Sequence, residues 1–231
     1  MAITTVCVAP SEALGFAFSG SPLGTVNNLM GGLAERLIEL DYITQRPGVV
    51  FTDHYFDNPI TSSYIAFLAV HNAHLRTPAK LAQLAILSNM PGGGISRPDI
   101  LTDQRSIREL YEIKPDSTEG LIEGREKLFI IDAFMSLFGL SYTKGISFVP
   151  TASIELVSGT IPTVVGSVPF RMRFVVRRTL PGLLQYRVCV ETDFAAIGAS
   201  VLAVIAAIII ALLLRGARIP TNIPLPSPVL A

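Results

Sequence analysis

Glu112 and Lys114 stand two residues apart in Tyr111-Glu112-Ile113-Lys114, an apolar stretch of a chain with only 16% charged residues. Side chains alternate between faces along a β-strand, so this carboxylate and ammonium share one side while Tyr111 and Ile113 take the other. Asp99 lies upstream, with twelve residues between it and Glu112. A hairpin turning at Asp103-Gln104-Arg105-Ser106 would bring Asp99 beside Glu112. Two adjacent carboxylates repel each other unless a cation lies between them. A hard divalent ion such as Mg²⁺ takes oxygen ligands of this kind and keeps several waters. A lysine one step along the same face can hold such a water or help to deprotonate it. The plainer reading is a solvated strand face with a cross-strand ion pair, worth at most about 1 kcal/mol.

The flanking elements place these residues. Residues 95–102 read as one short strand and 106–115 as a second, joined by the turn. "STEGLIEGREKLFIIDAFMSLFGL" reads as a long amphipathic helix, with Ser117 as its cap and Glu119 near the positive end of its dipole. "KGISFVP" reads as a strand after that helix. Upstream, Val26 to Leu40 has apolar residues at helical spacing, with Glu35 and Glu39 on one face. "TSSYIAFLAVHNAHL" and "PAKLAQLAILSNM" form a helical pair broken at Pro78, stopped by Pro91 and Gly92 to Gly94. "GVVFTDHYF" is a strand or irregular segment. Downstream, "ASIELVSG" is a strand, and "PFRMRFVVRRTLPGLLQYRVCVET" is a hairpin turning at Pro181-Gly182.

Pro98-Asp99 followed by Glu112-Ile113-Lys114 resembles the PD-(D/E)xK motif of the restriction-endonuclease-like nuclease superfamily. The order of elements over residues 26–150 is similar to that superfamily's αβββαβ core. The resemblance implies an α+β fold, metal binding by Asp99 and Glu112, a further ligand from the Ile113 backbone carbonyl, and a water positioned by Lys114. It implies a fourth ligand from the first helix, Glu35 in preference to Glu39. The cofactor would be Mg²⁺ or Mn²⁺ and the reaction phosphodiester hydrolysis, with DNA as the expected substrate. "YEIKPDSTEG…GREKL" also resembles nuclease effector domains of bacterial polymorphic toxins. That implies a delivered toxin acting in the cytoplasm, with an immunity protein as partner. No QxxxY pattern of the processive exonuclease kind follows Lys114.

The bulk composition adds a membrane element. Half of the 231 residues are hydrophobic, and mean hydropathy is +0.51. Phe194 to Leu214 runs for 21 residues without a charge, which as a helix spans about 30 Å. It is expected to insert in a membrane or to need a delivery chaperone. The expected organisation is an N-terminal segment (1–25), a nuclease-like core (26–150), a β extension (151–193), the hydrophobic helix (194–214) and a Pro-rich tail (215–231). A net charge of zero gives no global attraction to nucleic acid, so contacts must be local. Arg125 and Lys127 on the helix after the motif are candidates for the phosphate backbone. Arg171, Arg173 and Arg177 share one face of the hairpin and suit DNA or anionic lipid, opposite an apolar face of Phe170, Met172, Phe174 and Val176.

Other constellations are weaker. His71 and His74 are helically spaced but lack a third metal ligand. His54 with Asp53 and Asp57 reads as a polar loop. Ser19 to Thr25 is a turn without the ending of a phosphate-binding loop. Cys7 and Cys189 have neither disulfide-framework nor zinc spacing, and suit a reducing compartment. There is no GxSxG nucleophile motif. The competing class is a non-catalytic, membrane-anchored structural or adaptor protein of a secretion system or phage particle.

Overall fold

The computed structural model describes residues 3–10, 24–46, 48, 50–52, 64–89, 97–104, 107–163 and 166–198. Eight strands form one mixed sheet: β1 (Thr4–Val8), β2 (Val50–Thr52), β3 (Ile100–Gln104), β4 (Ile107–Pro115), β5 (Thr143–Lys144), β6 (Ser153–Thr163), β7 (Gly166–Leu180) and β8 (Leu183–Thr192). The continuous path is β2-β3-β4-β8-β7-β6, curled into a half-barrel, with β1 on β8 and β5 on β4. The helices are α1 (Gly24–Gln45), α2 (Tyr64–His71), α3 (Pro78–Asn89), α4 (Thr118–Leu137) and the single turn α5 (Phe194–Ile197).

Strand alternation sorts the side chains onto two cores. On one face Tyr111 and Ile113 of β4, Phe174 and Val176 of β7, and Leu184 and Tyr186 of β8 pack with Ala34, Ile38 and Tyr42 of α1. On the other, Leu110 of β4 and Leu183 of β8 pack with α2 and with Leu128, Ile131 and Phe134 of α4. Burying each of these large side chains stabilises the fold by about 1.5–3 kcal/mol.

This architecture overturns the expected fold, an αβββαβ core with an appended hairpin and a membrane-length helix. The hairpin β7–β8 is no extension, because β8 lies beside β4 in parallel, Glu112 opposite Leu183 and Lys114 opposite Gln185. The turn at Pro181-Gly182 is stitched to its neighbours: Gly182 accepts from the Glu112 N–H at 2.8 Å and donates to the Gly145 carbonyl at 2.8 Å. Gly182 has φ 75°, a left-handed conformation that suits glycine. The expected strand over residues 144–150 shrinks to Thr143–Lys144, because side chains capture the backbone beyond it. Glu109 accepts from the Ile146 and Ser147 N–H groups, and Tyr111 Oη from the Phe148 N–H.

The helix that begins at Phe194 ends after four residues. Asp193 caps its start, and Gly198 at φ 67° turns the chain out of the helical path. Phe194 and Ile197 pack against the α1 core. Among the described residues no helix is long and apolar enough to cross a membrane. Residues 199–231, and with them the rest of the expected membrane helix and the Pro-rich tail, lie outside the described residues. So do the Asp53-His54-Asp57 segment and most of the Ser19–Thr25 turn.

Cys7 and Cys189 form a disulfide, correcting the expectation of two isolated thiols. They are directly opposed in the antiparallel β1–β8 pair, a proximity that a sequence separation of 182 conceals.

Candidate functional site

The β3–β4 hairpin pairs Ile100 with Tyr111 and Gln104 with Ile107. β3 starts at Ile100, just after Pro98-Asp99, and at this point the Asp99 side chain takes over from the ladder. Its Oδ2 accepts from the Ile113 N–H at 2.6 Å. Asp99 therefore sits where the register would place it, next to Glu112, as the motif spacing requires.

Glu112 projects from the middle of β4 toward α4 and is fully buried. The approach of α4 completes the site. Ser117 Oγ accepts from the Gly120 N–H at 3.0 Å and starts the helix. Glycines then line its sheet-facing side. A Cβ on Gly120 would lie 2.2 Å from the Pro115 carbonyl oxygen, and one on Gly124 would lie 2.5 Å from Leu183. Because these positions carry no side chain, the helix lies close to β4, and Lys127, one turn beyond Gly124, comes down on the carboxylates. Its Nζ is 2.7 Å from Glu112 Oε1 and 3.1 Å from Asp99 Oδ1. The two carboxylate oxygens are thus less than about 6 Å apart, with the Lys127 ammonium in contact with both. Lys114 Nζ is 3.0 Å from the same Glu112 oxygen, and both lysine side chains are about one-fifth exposed, 21% for Lys114 and 20% for Lys127.

Both lysines meet Oε1 as ion pairs, and Oε2 has no hydrogen-bond partner among the described residues. Burial, then the Asp99 charge, push Glu112 up to about 8, against the opposing pull of Lys127 and Lys114. Burial alone would lower Lys127, but Asp99 and Glu112 outweigh it and raise it. The centre is a buried carboxylate pair with two ammonium groups and one orphaned oxygen.

The structure brings together Asp99, Glu112, Ile113 and Lys114. It moves Lys127 from the expected phosphate surface into the centre, while Arg125 is exposed on α4. Glu35 belongs to α1, which packs on the opposite face of the sheet. Its charge acts with that of Asp99 on Tyr186, whose hydroxyl is raised first by burial and then by these two carboxylates. Glu39 is buried on the same helix. Among the described residues no three His, Cys, Asp or Glu side chains form a metal-binding group. The role of Lys127 was readable only as one turn from Gly124 and four residues before Ile131, a sheet-facing position on a helix.

His71 and His74 do not converge on a metal. His71 packs on Phe67 with ring centroids 4.6 Å apart, and His74 Nε2 lies 2.8 Å from the Phe138 carbonyl. Met172, Phe174 and Val176 are buried while Arg171 and Arg177 are exposed, so the two faces of β7 divide as their alternation requires. Comparison of the chain with protein-family models, with curated proteins and with solved structures gave no match.

Proposed function

We propose that this protein is a divalent-cation-dependent nuclease that hydrolyses phosphodiester bonds, with DNA as substrate, at Asp99, Glu112 and Lys114. The observation that carries the reading is Glu112. It is a fully buried carboxylate with an orphaned Oε2, held beside Asp99 and next to a lysine that reaches solvent. A buried polar atom without a partner costs about 1–3 kcal/mol, and a cation bound at Oε2 would remove that cost.

The donor set fits Mg²⁺ or Mn²⁺. Asp99 and Glu112 would hold the ion, with the Ile113 carbonyl as a third oxygen. Two carboxylates suffice for a cation that keeps several of its waters. When bound, the ion supplies Lewis-acid polarisation of the phosphodiester and lowers the pKa of water. The chain's own groups do the rest. The Ile113 N–H fixes the Asp99 carboxylate. Lys127 offsets the repulsion between the carboxylates. Lys114 holds the attacking water and stabilises negative charge as it develops on the phosphate oxygens.

One observation favours a different reading. Lys127 already neutralises both carboxylates, as a purely structural ion cluster in a non-catalytic adaptor would. Plasmid nicking by the purified full chain separates the two. A nuclease cleaves with Mg²⁺ but not in EDTA, and loses about 100-fold or more of its rate in both Glu112→Gln and Lys114→Ala, the scale of one removed transition-state contact. No cleavage with Mg²⁺ leaves the structural reading, and cleavage unaffected by Lys114→Ala removes Lys114 from the site.

A further inference from the structure

Beyond the candidate centre, on the same face of the sheet, a cavity of about 640 Å³ is walled by Asp116, Ser117, Arg177, Arg178, Gln185 and Arg187. It is joined to the centre by strand register. Lys114 pairs with Gln185, and Gln185 with Arg177, so the three form a line across β4, β8 and β7. At about 4.8 Å per strand, Arg177 stands about 10 Å from Lys114 between backbones. Asp116 follows Lys114 by two residues on β4's exit, which keeps it on the same side.

The charges in this cavity are unequal. Three arginines face one aspartate. Arg177 and Arg187 both pair with Asp116, at 2.8 and 2.6 Å, but their side chains are 58% and 44% exposed whereas that of Asp116 is 9% exposed. Asp116 thus holds the two guanidiniums side by side from below and leaves their outer N–H groups open. A guanidinium has five donors in a planar fork, and one carboxylate does not use those of two arginines. Arg178 is held by the Ile146 and Phe148 carbonyls, an arrangement that fixes its position without cancelling its charge. The Thr179 hydroxyl, also in the wall, has no hydrogen-bond partner among the described residues.

We infer that this cavity is a phosphate subsite. Arg177 and Arg187, oriented by Asp116, bind a non-scissile phosphate of a nucleic-acid strand and set the strand's direction across Gln185 toward Lys114. The inference rests on the proposed nucleic-acid substrate and adds to it the place where the strand is gripped. A concave, guanidinium-walled site in line with a carboxylate centre suits a phosphodiester chain better than a flat lipid surface, because planar forks recognise individual phosphates.

The test is anisotropy of a fluorescein-labelled 20-nucleotide single-stranded DNA titrated with the full chain in EDTA, where cleavage cannot interfere. Arg177→Gln/Arg187→Gln is expected to weaken binding about tenfold at 0.1 M salt and to flatten the log K against log salt slope by about 0.7, the value for one lost phosphate contact on a single strand. Asp116→Asn removes the competing charge while its side-chain carbonyl still accepts from a guanidinium and keeps it in place, and is expected to tighten binding, an effect that simple damage to the fold does not produce. Wild-type affinity and slope in the double variant overturn the subsite. So does tightening absent in Asp116→Asn, or arginine-dependent binding only to inorganic phosphate or to phosphatidylserine vesicles. If wild type binds through the arginines yet never cleaves with Mg²⁺, the nuclease reading falls and the subsite stands. If cleavage requires Glu112 but the double variant binds normally, the subsite falls alone.

Discussion

Glu112→Gln tests the electrostatics of the centre without relying on catalysis. In the folded chain Glu112 is pushed from its ordinary 4.5 up to about 8, chiefly by burial. Below pH 4.5 the carboxyl is protonated in the folded and unfolded chains alike, and the group contributes no pH dependence. Between pH 4.5 and about 8 the unfolded chain releases a proton that the folded chain retains, so wild-type stability falls as pH rises through this window. Above pH 8 the effect levels off. At about 1.4 kcal/mol for each tenfold change in proton affinity, the ceiling is about 5 kcal/mol, and relaxation around the site brings the expected effect to about 2–3 kcal/mol. A glutamine cannot ionise and lacks this penalty. Urea unfolding under non-reducing conditions at pH 5, 7 and 9 should give similar stabilities at pH 5 and an increasing advantage for Glu112→Gln at pH 7 and 9. Added Mg²⁺ at pH 9 should raise the wild-type midpoint and leave the variant unchanged, since a ligand of the folded state stabilises only where it binds. Parallel pH profiles, or a variant less stable than wild type at pH 9, would refute the claim that Glu112 is held against its charge.

Two further predictions concern the scaffold. Cys189→Ser, or reduction of the wild type, frees β1 from β8 and should cost about 2–5 kcal/mol, read as a fall in the urea midpoint that reductant produces in wild type and not in the variant. Gly145→Ala would place a methyl 2.0 Å from Tyr111 Cζ, so the ring must move and give up its hydroxyl bonds to Glu109 and the Phe148 N–H. The expected loss is about 2–4 kcal/mol, visible as a lower thermal midpoint, and an unchanged melt would show that the Tyr111 ring can be displaced freely.

The hairpin bearing the site was legible because its signals are local. Alternation put Glu112 and Lys114 on one face and Tyr111 and Ile113 on the other. The expected four-residue turn would have set Asp99 opposite Leu110; β3 instead runs on to Gln104, which pairs with Ile107, and that register brings Asp99 to Glu112. The α4 start was legible for the same reason, from Ser117 and a helical period. What escaped is non-local. Nothing in the sequence pattern of β8 says that it lies parallel to β4, and two cysteines 182 residues apart do not announce a cross-strand bond. The single-turn α5 escaped because hydropathy sums over a window and does not register one left-handed glycine. The contacts of Lys127 with Glu112 and Asp99 escaped because its charge pointed only to phosphate. Only the closeness of α4, permitted by Gly120 and Gly124, turns that position inward.

The closeness of α4 bears on whether the centre is more than structural. An ion cluster kept for stability should satisfy its atoms, since a buried network with an orphan is worse than a well-packed apolar core. Glu109, on the same strand, shows what a satisfied carboxylate looks like in this protein. Burial alone would raise it, but Ser147, Tyr111 and the Ile146 N–H hold it below the usual range. Glu112, three residues on, is instead raised and has an oxygen without a partner. The same strand therefore carries one carboxylate fully bound by its surroundings and one left incomplete. The incomplete one is flanked by Asp99, faces a half-open lysine, and stands in line with an arginine-walled cavity. A fold that can complete Glu109 could have completed Glu112, and the placement of that vacancy is the physical reason to look for a cation and a phosphate there.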